Sequence, residues 1–128
     1  MLARKDASRP FPAAAPIRYD GTSAVAEPNM PIEIDQSICR TDNFAVLVHD
    51  PATGITAAID APDAAVIEAR LAARGWTLTH ILTTHHHGDH TEGNLALKAA
   101  HGCTIIGPAA EADRIPGIDR TVGEGDRF

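Results

Sequence analysis

The sequence predicts a layered α/β domain. Two observations carry that prediction. Apolar residues alternate over two neighbouring runs joined by a Pro- and Gly-containing turn, which marks a β-hairpin. Helical stretches then alternate with short runs rich in β-branched residues, the pattern of helices packed on a sheet.

The elements follow in order. Ile32, Ile34 and Ile38 alternate with polar residues and predict a first strand near 32–38. The run Asn43 to His49, with Phe44, Val46 and Val48 in alternation, is apolar enough for a strand covered on both faces. Asp50-Pro51-Ala52-Thr53-Gly54 is a turn, and Ile55 to Ile59 is the returning strand of an antiparallel hairpin. Ala61-Pro62-Asp63 opens a helix, since proline suits a first turn whose N–H needs no partner. That helix runs through Val66, Ile67 and Leu71 to Gly75. Asp63 and Glu68 lie early in it and Arg70 and Arg74 late, an order that complements the helix dipole.

Leu78 to Thr84 reads as a buried strand ending at His85. Asn94 to Ala100 is a short helix stopped by Gly102. Cys103 to Ile106 is a further strand closed by Gly107-Pro108. Residues 109–114 form a helical turn. The loop 115–128 holds one short strand around 120–122.

Composition narrows the function. The chain has 128 residues, 44% hydrophobic and 22% charged, which fits one globular domain. No apolar run approaches the length of a membrane span. Net charge is −6, and residues 30–128 carry 7 basic against 14 acidic side chains. So acidic a body argues against nucleic acid as a partner.

Residues 1–30 read as a disordered lead before a domain over 31–128. Four of the nine prolines fall there, with neither helical nor strand period. Met30 stands where the patterned sequence begins, so an upstream start codon is one origin for the lead. It holds no apolar stretch of the kind an export signal needs. Cys39 and Cys103 form no C-x-x-C pair and read as two reduced thiols, so the expected compartment is the cytoplasm.

The chemistry lies in Thr84-His85-His86-His87-Gly88-Asp89-His90-Thr91-Glu92-Gly93-Asn94. His85 and His87, two apart on extended backbone after a strand, face one side and can reach one ion. Asp89 and His90 follow Gly88, where the chain can turn sharply, and can point to a second ion. Imidazole with carboxylate suits zinc, iron or manganese. A His-x-His-x-Asp-His string arises by chance in roughly one such chain in 500. This one also sits between a strand and a helix, where ligands gather in open α/β sheets. His86 alternates to the opposite face and reads as structural. His80 reads as a satisfied core histidine, and His49 and His101 as surface residues.

Thr84 to His90 resembles the T-H-x-H-x-D-H signature of the metallo-β-lactamase superfamily. Within it, the surrounding text is similar to glyoxalase II, the hydroxyacylglutathione hydrolases. Asp42-Asn43-Phe44-Ala45-Val46-Leu47, Ala58-Ile59-Asp60-Ala61-Pro62, Leu78-Thr79-His80-Ile81-Leu82 and His90-Thr91-Glu92-Gly93-Asn94 carry that similarity. It covers about residues 32–128 and matches the first half of an αββα sandwich.

The resemblance implies that His85 and His87 hold a first divalent metal ion, and Asp89 and His90 a second. Asp89 is also the expected catalytic residue. The ions would be zinc, or else iron or manganese. The substrate would be a glutathione thioester such as S-D-lactoylglutathione, hydrolysed to D-lactate and glutathione.

The family pattern places a later His, a bridging Asp, a final His and the glutathione-gripping residues beyond position 128. His101 follows the motif too soon to replace the later His. A chain with this content reads as the truncated N-terminal part of such an enzyme, expected to be inactive alone and to leave one sheet face uncovered; a second chain that supplies the rest is the alternative.

Rival readings stay open. One is a non-catalytic metal-binding half-protein. Others are a persulfide dioxygenase or lactonase of the same fold. A β-lactamase would be exported, and an RNA-processing nuclease would be basic.

Overall fold

The computed structural model describes residues 30–128, and the lead predicted over 1–30 lies, Met30 apart, outside them. Glu33–Phe128 forms one compact unit. Its six strands are β1 (Glu33–Cys39), β2 (Asn43–Asp50), β3 (Ile55–Ile59), β4 (His80–Leu82), β5 (Thr104–Pro108) and β6 (Arg120–Val122), hydrogen-bonded side by side in that order. β1, β2 and β3 pair antiparallel, and β3 through β6 pair parallel. Helix α1 (Ala64–Arg74) crosses from β3 to β4. Helices α2 (Gly88–Thr91) and α3 (Asn94–His101) cross from β4 to β5, and a 3-10 turn, Ala109–Arg114, leads towards β6.

α1 starts two residues after Pro62. Asp63 is its cap, and its Oδ1 accepts from the backbone N–H groups of Ala65 and Val66. Such a cap stabilises a helix by about 1 kcal/mol. Gly75 ends the helix in the left-handed conformation, at φ 72°. Ile67 and Leu71 point inward and are fully buried with Leu97 of α3. They meet a row that runs across the sheet through Leu47, Ala58, Ile81 and Ile105, paired in register. Burying each such side chain contributes roughly 2 kcal/mol.

The expectation that β2 is covered on both faces needs correction, and β1 buries the face its isoleucines do not occupy. β1 buries Asp35 and Cys39, while Ile34 and Ile38 are 62% and 71% exposed. In β2, Ala45 and Leu47 are buried, Val46 and Val48 half-buried and Phe44 exposed, so the second face is not covered as the apolar run implied. The reason is that both helices pack on one side of the sheet. Ile34, Ile38, Phe44, Val46 and Val48 lie on the other side, in register with Ile59 and Leu82.

A charged residue can occupy the helix side of β1 because it is fully paired. Asp35 accepts from Arg70 Nε at 2.9 Å and Nη2 at 2.6 Å, and from Arg74 Nε at 2.8 Å. This paired carboxylate ties β1 to α1.

Three of the histidines differ from their sequence reading. His80 is half-buried on the open sheet face, with Nδ1 2.8 Å from Thr79 Oγ1. His49 stacks on Trp76 at 4.4 Å and bonds Thr56 Oγ1, and His101 Nε2 meets Glu68 at 2.9 Å, joining α3 to α1. Neither is a free surface residue.

Candidate metal centre

Three adjacent parallel strands, β3, β4 and β5, end on the same edge of the sheet. Asp60 directly follows β3, the segment Thr83–His87 follows β4, and Glu111 comes soon after β5. Carboxyl ends of parallel strands are where open α/β sheets gather functional side chains, because the loops there converge.

Asp60 stands in the left-handed region at φ 65°, a conformation Asp tolerates better than most residues. The bend turns its side chain across the neighbouring strand end. Oδ1 accepts from the Thr84 backbone N–H at 2.7 Å and Oδ2 from the Thr84 hydroxyl at 2.7 Å. Oδ2 also lies 2.9 Å from His90 Nδ1. Asp60 is only 7% exposed, so these bonds work in a poorly solvated setting.

This network fixes which nitrogen of each ring carries the proton. A carboxylate only accepts, so Thr84 spends its single hydroxyl proton on Asp60. The Thr84 oxygen must then accept from His85 Nδ1, 2.8 Å away. His90 Nδ1–H donates to Asp60 directly. In the neutral form of either ring this leaves the lone pair on Nε2, the donor a divalent metal needs.

Asp60, His85 and His90 bring one potential ligand atom each within 4.8 Å of one another. The Asp60 oxygens already accept three hydrogen bonds, which suits Asp60 to hold rings in place. Of the residues singled out in the sequence, His85 and His90 have ring centroids 4.2 Å apart, and His85 and His87 4.7 Å. Asp89 Oδ2 lies 3.7 Å from His90 Nε2. Two ligands of one zinc ion, each about 2.0–2.1 Å from it, sit roughly 3.3 Å apart. The donor set of imidazole nitrogens and carboxylate oxygen therefore fits a divalent ion of the zinc type.

Partial burial pushes the Asp89 carboxyl up. The Asn43 hydrogen bond and the neighbouring His90 and His87 outweigh it, so the net shift is below the ordinary carboxylate range. Asn43 Nδ2 also donates to the Asp89 carbonyl at 2.9 Å, holding α2 against the start of β2. Arg40, in the turn between β1 and β2, pairs with Glu92 and donates to the Pro62 carbonyl.

His86 meets Glu111, and its ring centroid lies 4.9 Å from that of His87. Sequence reasoning did not pick out Asp60, Thr84, Asn43 or Glu111 as site residues. For Asp60 a signal existed, a lone carboxylate at the end of an apolar strand. For Glu111 there was none, since only the parallel pairing of β4 and β5 brings it to the loop.

Residues 38–125 match the Metallo-beta-lactamase superfamily. The hydroxyacylglutathione hydrolase of Brucella anthropi is 66% identical over 97 residues, covering 76% of this chain and 37% of that protein. The enzyme of the same name from Rhizobium etli is 62% identical over 98 residues, covering 77% and 38%. The chain thus spans well under half the length of these curated relatives.

Among solved structures, ETHE1 from Myxococcus xanthus superposes with a TM-score of 0.62 at 27% identity, over 75% of this chain and 43% of that one. A metallo-beta-lactamase from Staphylococcus aureus gives 0.60 at 20% identity, over 76% and 30%, a likeness of fold alone. Sequence match, shared fold and the histidine–aspartate group all point to metal binding, and the chain belongs to the metallo-beta-lactamase superfamily.

Proposed function

We propose that this chain is the metal-binding part of a glyoxalase II-type hydroxyacylglutathione hydrolase, acting on S-D-lactoylglutathione to give D-lactate and glutathione. The observation that carries the reading is a single carboxylate, Asp60, presenting two imidazoles: His90 directly and His85 through Thr84. The identity to the Brucella and Rhizobium hydrolases supplies the substrate class.

On this reading His85 and His87 hold one divalent ion, and Asp89 and His90 a second, both zinc by preference. Bound there, such ions supply an activated water and polarise a carbonyl. The chain's own residues prepare that chemistry. Asp60 and Thr84 keep the ring protons on Nδ1. Asn43 orients Asp89, the carboxylate nearest His90 Nε2 and the catalytic residue of this reading.

Each ion receives two ligands from this chain, fewer than the three or four protein ligands of usual zinc sites. Among the described residues no helix is long and apolar enough to cross a membrane. Cys39 and Cys103 are buried and unbridged, which suits the reducing cytoplasm.

The test combines zinc titration with complementation. The chain alone is expected to bind zinc and to leave S-D-lactoylglutathione intact. Hydrolysis is expected when the part of the Brucella anthropi hydrolase that this chain does not cover is added. Zinc uptake without hydrolysis in the complemented mixture would count against the thioesterase reading, and absence of zinc uptake against metal binding itself.

A further inference from the structure

The segment that carries the histidines has little regular structure of its own. β4 stops at Leu82, and α2 begins only at Gly88. Thr83 still donates to Ile106, as a strand residue would. The Thr84 and His86 N–H groups are taken by carboxylates from elsewhere in the chain: Thr84 by Asp60, on the β3 side, and His86 by Glu111, on the β5 side. The histidine segment is strung between two acids.

The Glu111 contact is tight and double. Its Oε1 accepts from the His86 backbone N–H at 2.7 Å and lies 2.7 Å from His86 Nδ1. One oxygen therefore fixes both the main chain and the ring of the same residue. An ordinary surface ion pair contributes little and fixes no backbone. Here the captured N–H lies between His85 and His87. Holding both the backbone N–H and the ring of His86 restricts the directions open to the residues on either side of it. The His86 ring also stands edge-on to His87 at 4.9 Å, so its placement limits where His87 can go.

We propose that Glu111 is a positioning residue for the metal loop: by clamping His86 through backbone and ring, it presents His85 and His87 towards the metal. The proposal rests on the metal reading above and adds to it a residue that touches neither metal nor substrate. It also predicts an order of effects. His86→Ala removes the ring contact but keeps the backbone one. Glu111→Ala removes both and should do more harm, although it lies 25 residues away in sequence. Glu111→Gln keeps one carbonyl oxygen for the backbone N–H and should restore part of the loss.

The experiment compares the full chain with its Glu111→Ala, Glu111→Gln and Asp113→Ala variants, the last removing an exposed acid from the same 3-10 turn. Zinc affinity is read by competition with a chromophoric chelator. Amide hydrogen exchange over residues 84–88 is read in metal-free protein, and the metal-free melting midpoint reports folding. The expected result is zinc binding weakened roughly ten-fold in Glu111→Ala, in line with losses seen when a residue orienting metal ligands is removed. Exchange at His86 should quicken, Glu111→Gln should fall between, and Asp113→Ala should match the parent chain.

Parental zinc affinity in Glu111→Ala would overturn the role of Glu111, as would an equal loss in Asp113→Ala. A lowered melting midpoint with no rescue by Glu111→Gln would also overturn it, by showing a folding defect instead. Failure of the parent chain to take up zinc would overturn the metal reading and this role with it. Zinc uptake by the parent and an indifferent Glu111→Ala would strike the Glu111 role alone.

Discussion

His90 Nδ1 sits 2.9 Å from Asp60 Oδ2, although the two residues lie 30 positions apart in the chain. The contact joins the end of β3 to the helical turn after β4, and it is doubled in the backbone. Ala61 N–H donates to the His90 carbonyl at 2.8 Å, and Gly93 N–H to the Ala61 carbonyl at 2.8 Å. Side chain and main chain thus hold one residue from both sides.

Asp60→Asn tests the side-chain half. Asparagine tolerates the left-handed backbone but replaces one acceptor oxygen by a donor. Zinc binding should weaken about 10–100-fold, the usual cost of losing the carboxylate behind a metal-binding histidine. A chelator competition that returned the parental affinity would refute the orienting role.

The two faces of the histidine string give a second contrast. His87→Ala is expected to abolish tight zinc binding. His86→Ala should cost well under the loss from Glu111→Ala, because the backbone clamp survives. Isothermal titration of both variants decides it, and equal losses would show that the face assignment is wrong.

Gly93 predicts a packing defect. A methyl group there would lie 2.9 Å from the Ala64 nitrogen and 3.0 Å from the Ala61 carbonyl, both backbone atoms that cannot swing aside. Gly93→Ala should destabilise the fold by about 2 kcal/mol, as overpacking does elsewhere. It should also loosen the Ala61–His90 contact. Urea unfolding gives the first effect and zinc affinity the second. An unchanged midpoint would mean the loop yields freely.

Acid should undo the β1–α1 tie in a defined window. The hydrogen bond from Arg70 lowers the Asp35 carboxyl most. Burial raises it, Arg74 lowers it further, and the outcome falls from 3.8 to about 2. A depressed folded value contributes stability above the unfolded value and loses it as pH falls towards the folded one. That difference amounts to about 2 kcal/mol, fully present above roughly pH 5 and lost between there and pH 2. In Asp35→Asn the same acid limb should flatten. Unfolding midpoints at pH 6 and pH 3 provide the comparison, and parallel acid limbs in parent and variant would reject the assignment.

The open sheet face should be adhesive. Ile38 and Phe44 are cross-strand partners, 71% and 52% exposed. An exposed apolar patch of this kind promotes association. Ile38→Lys with Phe44→Glu should lower self-association in sedimentation velocity without lowering zinc affinity. Should the parent chain already sediment as a monomer at high concentration, the patch is less sticky than its composition implies.

Much of this was legible in the sequence, and the gaps have physical causes. Period and punctuation located the strands near 44–48, 55–59 and 104–106 and the stops at Gly75 and Gly102, because each depends on local geometry. The face of β1 was not legible. Alternation shows that two faces differ, but only the tertiary partners Arg70 and Arg74 explain why the side bearing Asp35 is the buried one. The candidate ligands share one short motif and could be read together. Their holders, Asp60 and Glu111, reach the motif only through strand pairing, which spacing along the chain does not encode.

The holders of the histidine segment have a kinetic consequence. Thr84 meets Asp60 across 24 residues, His90 meets it across 30, and His86 meets Glu111 across 25. The Asp60 contacts wait for β3 and β4 to pair and the Glu111 contact for β4 and β5, and non-local pairing of that kind is slow to close. On the metal reading, an ion that arrives early meets the histidine segment before its holders are in place. Loading is then expected to follow folding, with the order of assembly running from sheet to cradle to cation.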